Sequence, residues 1–412
     1  MRLTSIVLLC ILLAVLAWVL WIASKPKGFK TLDSQERAVL DELMPRKMVG
    51  GNSITTYTSL AGMFDTLMDD VAGAQHHVHM EFFKFEDDAT GRIVGDALAG
   101  RVAGGVECRL LYDDFMCRHW RPLYRGLRER GVETAGYNPV HWPIPIKRDY
   151  YRNHRKIVVV DGRVGYLGGV NIADRYLHGL PWGCWRDTMI RIEGPAVAAL
   201  QRLFITDWRY ATGRLLASPC YFPSVATVGQ LALHLIPSGP VGDGPAIMHY
   251  TVELLERAEH YIWFESPYFI PTAPVRRALL DAAQRGVDVR VLLPPRGDRG
   301  EGTQLASKSY FAEAMAAGIR IGHYQPGYMH SKIIVCDDTT AVVGSCNIDP
   351  RSYELCQEVA AVIDSGEYTL QLKAVFLADE AQSVYVDPTT WPDRPCKQKL
   401  FEQITRLASS HL

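Results

Sequence analysis

The chain contains no Cys-x-x-Cys pair, and its nine cysteines are odd in number and scattered. That argues against both a disulfide scaffold and a structural zinc site. Charge of either sign is equally short: the net value is -1 at pH 7, with no long basic run, so bulk electrostatics points away from a nucleic-acid partner. The glycine-rich stretch at residues 238–244 lacks the following Lys-Ser/Thr of a nucleotide cradle and reads as a turn. What remains is 412 residues, 48% hydrophobic and 22% charged, the composition of a globular protein with ample core.

Residues 6–23 form an uninterrupted apolar run of 18 residues with Trp18 and Trp21 near its far end. As a helix it reaches roughly 27 Å, close to the ~30 Å hydrocarbon core of a bilayer. A cleaved signal peptide would have a shorter run and a small-x-small site, which residues 22–27 lack. A retained single-pass anchor over residues 1–29 is therefore expected. Lys25, Lys27 and Lys30 follow the run and only Arg2 precedes it, so the rest of the chain is expected on the cytoplasmic side of the cell membrane. Cys336 and Cys346 on presumed core strands fit the same reducing compartment.

The chemistry concentrates in a pattern that occurs twice. His330-Ser331-Lys332 is followed by an apolar strand, then Asp337, six residues, and Gly344-Ser345-Cys346-Asn347. His154-Arg155-Lys156 is followed by Ile157-Val158-Val159-Val160, Asp161, six residues, and Gly168-Gly169-Val170-Asn171. Every spacing matches, Gly169 alone replaces a fixed residue (Ser345), and the histidines lie 176 residues apart. Identical internal spacing at a fixed offset reports duplicated structure.

The surrounding patterns duplicate too. Helices are expected over 60–72, 93–103 and 123–130, with strands over 78–85 and 106–112. The second half repeats the plan with helices over 247–258, 275–284 and 307–317 and strands over 261–264 and 289–293. Gly105-Val106-Glu107-Cys108-Arg109 matches Gly286-Val287-Asp288-Val289-Arg290 letter class by letter class. Alternating strands and helices predict an α/β layer fold in each half. The simplest assembly packs the two motif edges into one pocket. The expected division is an anchor at 1–29, repeats at 30–213 and 214–386, and an amphipathic tail at 387–412.

Other features are weighed against plainer readings. His77, His79 and Glu81 alternate along a strand as metal ligands can, but histidines beside a packed sheet are commoner, so no metal or cofactor is expected. Residues 141–152 form a basic, aromatic loop entering the first motif. Trp182 and Trp185, on the loop 177–185, suit a membrane interface. Leu400, Phe401, Ile404, Leu407 and Ala408 form a helical stripe; docking on the core is the default reading and a membrane surface the alternative.

Attack on a phosphodiester builds negative charge on its non-bridging oxygens. Lys156 and Lys332 can bind those oxygens from two sides, with Asn171, Asn347 and the Ser345 hydroxyl adding hydrogen bonds. One neutral histidine can attack phosphorus while the other protonates the departing alkoxide. No metal is required. Each histidine needs a carboxylate to fix its tautomer. Glu358 lies 28 residues after His330 and Asp187 lies 33 after His154, each on the strand expected next. Asp161 and Asp337 complete the motif but sit at strand ends, where a structural role is expected.

Both motifs resemble those of the phospholipase D superfamily and, more narrowly, those of its bacterial cardiolipin synthases. The resemblance extends to Met80-Glu81-Phe82-Phe83-Lys84-Phe85, Ser266-Pro267-Tyr268-Phe269 and Asn347-Ile348-Asp349-Pro350-Arg351-Ser352. Where the family usually carries Asn-Phe before the glutamate, this chain has Cys356-Gln357. The resemblance implies two α/β/α sandwich repeats packed together and a phosphohistidine intermediate, with His154 as nucleophile. It implies joining of two phosphatidylglycerols into cardiolipin with release of glycerol. A hydrolytic phospholipase D or a nuclease using the same residues is the alternative.

Overall fold

A computed structural model describes residues 34–43, 49–140, 150–298 and 302–407. The apolar run at 6–23 and residues 141–149 of the basic loop lie outside the described residues. Among those described, no helix is long and apolar enough to cross a membrane.

The first half contributes β1 (Val49–Tyr57), β2 (His77–Phe82), β3 (Glu107–Asp113), β4 (Glu133–Tyr137), β5 (Arg152–Asn153), β6 (Ile157–Val160), β7 (Val164–Gly168), β8 (Cys184–Arg186) and β9 (Met189–Glu193). The second contributes β10 (Leu231–Ser238), β11 (Tyr261–Glu265), β12 (Asp288–Leu293), β13 (Arg320–Tyr324), β14 (Gly327–Met329), β15 (Ile333–Cys336), β16 (Thr340–Gly344), β17 (Cys356–Asp364) and β18 (Ser383–Tyr385). β6 shows why these segments are strands. Its four residues are β-branched and all buried, so they read as one apolar run covered on both faces.

β2 and β3 run parallel, as do β11 and β12, so each pair needs a crossover helix. Ala89–Ala103 and Ala273–Gln284 supply them. Asp88 caps the first by accepting from Gly91 N at 3.0 Å. The expected helix over 307–317 is instead two, Gly302–Lys308 and Phe311–Ala316.

The two sheets are one. Strand order runs β18-β13-β12-β11-β15-β16-β17-β10-β1-β9-β7-β6-β2-β3-β4. Apart from the edge strand β18, the order is a palindrome of equivalent strands, and the halves meet where β10 pairs antiparallel with β1. The halves also share a core: Ile157, Leu167 and Ile190 cluster with Ile333, Val335, Val343 and Val359.

Candidate active site

Two short strand pairs cross between the halves and fix the site. β5 runs parallel to the start of β17, with Arg152 opposite Cys356 and Asn153 opposite Gln357. β14 runs parallel to β8, with Met329 opposite Arg186. One residue further along each pair stand His154 opposite Glu358 and His330 opposite Asp187. Each histidine therefore takes its carboxylate from the other half, not from the strand that follows it in its own. His154 Nδ1 lies 2.8 Å from Glu358 Oε1 and His330 Nδ1 2.5 Å from Asp187 Oδ2. Backbone bonds lock the register: His154 N donates to Gln357 O at 2.9 Å and His330 N to Arg186 O at 2.7 Å.

A carboxylate accepting at Nδ1 places the ring proton there and leaves Nε2 with its lone pair. Burial pulls the His154 pKa down to about 4 and the His330 pKa down to about 3, with Lys156 and Lys332 reinforcing it and the carboxylates only partly opposing it. Both rings are neutral in the free site. Lys332 Nζ also lies 3.0 Å from His330 Nδ1, where its charge opposes protonation of the ring. Burial likewise lowers Lys156 to about 7 and Lys332 to about 8. Each lysine donates to the carbonyl of its own motif histidine.

Behind each histidine stands a buried arginine. Arg155 donates to Glu358 O at 2.9 Å and to Asp207 Oδ2 at 2.5 Å. Arg186 donates to Asp379 Oδ2 at 2.8 Å, to Thr188 Oγ1 at 2.9 Å and to the Asp187 carbonyl. Next to them lie Glu81 and Glu265 on equivalent strands. Burial drives the Glu81 carboxyl well up and Glu265 to about 8, with the facing arginine in each case only partly opposing it. The alternation of His77, His79 and Glu81 reflects this packing: His77 Nε2 and His79 Nδ1 both meet Gln201. Among the described residues no group of side chains is arranged to hold a metal.

Three further motif residues stand apart from the reacting groups, and of these Ser345 departs from its sequence expectation. Ser345 Oγ donates to Glu358 Oε2, so it steadies the carboxylate and is not directed at substrate. Asp161 and Asp337 lie at the opposite end of the motif strands from the lysines, about 15 Å away at ~3.3 Å per residue. Asp161 accepts N–H bonds from Gln75, His76 and His77 at 2.7, 2.7 and 2.8 Å. Asp337 accepts from Glu259, His260 and Tyr261 at 2.7, 2.9 and 2.7 Å. Both have positive φ, 52° and 49°, tolerated by aspartate. They clamp the entry of β2 and β11 and touch no reacting group.

The one difference between the motifs also has a cause. A Cβ on Gly169 would lie 2.1 Å from Asp187 Oδ1. The shorter Asp187 fills the space that Ser345 occupies beside the longer Glu358, so Gly pairs with Asp and Ser with Glu.

The histidines line a cavity of about 200 Å³ together with Phe83, Asn171, Tyr176, Trp185, Tyr268, Tyr328 and Asn347. Asn171 Oδ1 accepts from Lys84 N at 3.0 Å and its Nδ2 donates to Tyr176 OH at 2.5 Å. Asn347 Oδ1 is buried without a hydrogen-bond partner among the described residues. Trp185, expected at a membrane interface, is 7% exposed and packs 5.0 Å from the His330 ring; it is cavity wall. Of the aromatic segments, Phe83 and Tyr268 reach the cavity, while Phe82, Phe85 and Phe269 sit in the cores. Asp349 and Arg351 also line it, and burial pushes Asp349 up to about 6. Neither role was assigned from sequence, although both lie in the run directly after the second motif.

Two carboxylate-held histidines delivered by paired motifs to one cleft, each with its motif lysine buried close behind it, define a phospholipase D-like fold. Residues 67–208 and 251–379 match the family model described as "Cardiolipin synthase, PLD-like domain". The chain is 37% identical over 350 residues to the cardiolipin synthase of Geobacillus sp. (strain WCH70), covering 84% of this chain and 70% of that one. It is 35% identical over 358 residues to cardiolipin synthase 2 of Bacillus anthracis, covering 86% and 70%. Its fold is shared with the phosphatidylserine synthase of Haemophilus influenzae, with a TM-score of 0.69 and 14% identity over 92% of this chain and 100% of that one. The chain belongs to the cardiolipin synthase family of phospholipase D-like proteins.

Proposed function

We propose that the protein transfers a phosphatidyl group from one phosphatidylglycerol to a second, forming cardiolipin and releasing glycerol. The observation that carries this reading is the pair of neutral, carboxylate-held imidazoles facing one cavity. His154 Nε2 attacks phosphorus, the bond to the glycerol oxygen breaks, and His330, protonated once the anionic lipid is bound, gives its proton to that oxygen. The phosphatidyl group is then held on His154. A primary hydroxyl of the second lipid attacks next, His330 takes its proton, and the P–N bond breaks. Lys156 and Lys332 hold the non-bridging oxygens throughout. Asp349 and Arg351 supply an acceptor and a cation for the second headgroup, which carries both hydroxyls and a phosphate.

Transfer competes with water at about 55 M, and an oriented hydroxyl has an effective molarity far above that. The Tyr268–Tyr328 pair, 3.4 Å between hydroxyls, walls the cavity against water. Pure phosphatidylglycerol in bilayers is expected to give cardiolipin and glycerol, with phosphatidic acid minor, and Tyr268→Ala to shift the balance towards phosphatidic acid. Phosphatidic acid as the main product of the unmodified protein would replace this reading with a hydrolase. We also infer that residues 1–29 anchor the enzyme in the cell membrane with its catalytic part cytoplasmic; the 18-residue apolar run and the lysines after it support this.

A further inference from the structure

The helix Cys396–Leu407 lies beyond the segments that match the family model, and its amphipathic faces are reversed. The face turned to the protein is polar. Glu402 is fully buried and receives Arg394 Nη2 at 2.8 Å and Gln398 Nε2 at 2.9 Å. Arg406 donates to Ser309 O at 3.2 Å and lies 4.3 Å over the Tyr310 ring. The face turned outward carries Leu400, Phe401, Ile404 and Leu407, exposed by 60, 55, 51 and 87%. The core-docking expectation for this stripe is thus overturned: its apolar side chains point away from the core.

An apolar stripe this exposed needs a cover, and three observations choose among covers. Lys397 is exposed beside the stripe, and Lys399 flanks it, while Glu402, the helix's one acid, is neutralised inward by Arg394. The outward face is therefore apolar and cationic, the pattern that suits an anionic bilayer surface. A second copy docking face to face would set these lysines against each other. Finally, the helix packs on Gly302–Lys308, whose Thr303 lines the catalytic cavity, so whatever surface it lies on is beside the cavity that takes the lipid.

We propose that Cys396–Leu407 lies in the headgroup region of an anionic bilayer and sets the catalytic cavity against it. This rests on the lipid-substrate reading only for its purpose, and the test separates the two. An environment-sensitive fluorophore is placed at Ile404→Cys in the full chain, with the exposed Cys184 and Cys396 changed to Ser. Phosphatidylglycerol vesicles are expected to shift its emission to the blue and bromine-bearing lipids to quench it, with phosphatidylcholine vesicles giving a weaker shift. Leu400→Ser/Ile404→Ser/Leu407→Ser is expected to lower turnover on vesicles about tenfold or more and leave turnover on detergent-dispersed lipid unchanged. Emission already blue without vesicles shows another segment of the chain on the stripe, self-quenching that grows with protein concentration shows a second copy, and emission indifferent to vesicles shows neither; each overturns the proposal. Insertion by a protein that makes no cardiolipin would leave the docking standing and remove the synthase reading.

Discussion

His154 Nδ1 lies 2.8 Å from Glu358 Oε1, an acceptor 204 residues away in the other half of the molecule. Its mirror is His330 with Asp187 at 2.5 Å. Burial opposes ionisation of both carboxyls, yet the facing histidine, the lysines and local hydrogen bonds hold each below its usual range. Glu358→Gln keeps the shape but removes the charge that orients His154 and stabilises it as charge develops. The expected result is a fall in kcat of about 10²–10⁴-fold with a much smaller change in KM, measured on phosphatidylglycerol bilayers. Asp187→Asn should do the same through His330, and the double variant should fall far short of the product of the two. Unchanged kcat in either single variant would remove the positioning role.

The Gly169–Asp187 fit makes a sharper test. Gly169→Ala inserts a methyl where Asp187 Oδ1 stands at 2.1 Å, so the carboxylate must move off His330. A displacement near 1 Å costs about 10²-fold in rate. Ser345→Ala removes only one bond to Glu358 and should cost less. If the two variants are equally active, the size match between the motifs is incidental.

Asp161→Ala separates folding from chemistry. Three N–H groups lose a charged acceptor, two of them at exposed residues, so the expected destabilisation is about 2–4 kcal/mol. Thermal unfolding should shift down while kcat per folded molecule holds. A kcat loss at full stability would return Asp161 to the catalytic set.

The lysines set the alkaline side of the pH profile. Each binds phosphate only as an ammonium, and in the free enzyme Lys156 titrates at about 7 and Lys332 at about 8. As pH rises through that window the protons are lost, so kcat/KM should fall across pH 7–9. At saturating lipid the bound anion raises both pKa values, and kcat should fall later. The histidines, at about 4 and 3, keep the neutral form available down to mildly acidic pH. A kcat/KM flat to pH 9 would contradict the depressed lysines.

Much of this was legible because β6 and β15 are short apolar runs at fixed spacing from a histidine and a lysine. The repeats exposed the α/β plan of β2, β3, β11 and β12 through their parallel letters. What stayed hidden was long-range. β5 and β14 span two and three residues, too short for any periodic signal, yet they decide which carboxylate meets which histidine. β1, Val-Gly-Gly-Asn-Ser-Ile-Thr-Thr-Tyr, is polar enough to pass for linker, and its strand character comes from pairing with both β10 and β9. Ser345 was misplaced for a similar reason: a hydroxyl in the motif says nothing about whether it turns towards substrate or towards Glu358.

The backbone ladder between β10 and β1 has a mechanical consequence. Enzymes that exclude water by swinging two lobes together need a joint between them, and here that seam is stitched by hydrogen bonds and a common core. Traffic therefore does not depend on the two halves parting. On the proposed two-step transfer, a cavity of about 200 Å³ favours departure of glycerol before the second headgroup enters. If the proposed transfer runs in that order, added glycerol competes with the second lipid for the same passage and pushes the reaction backwards.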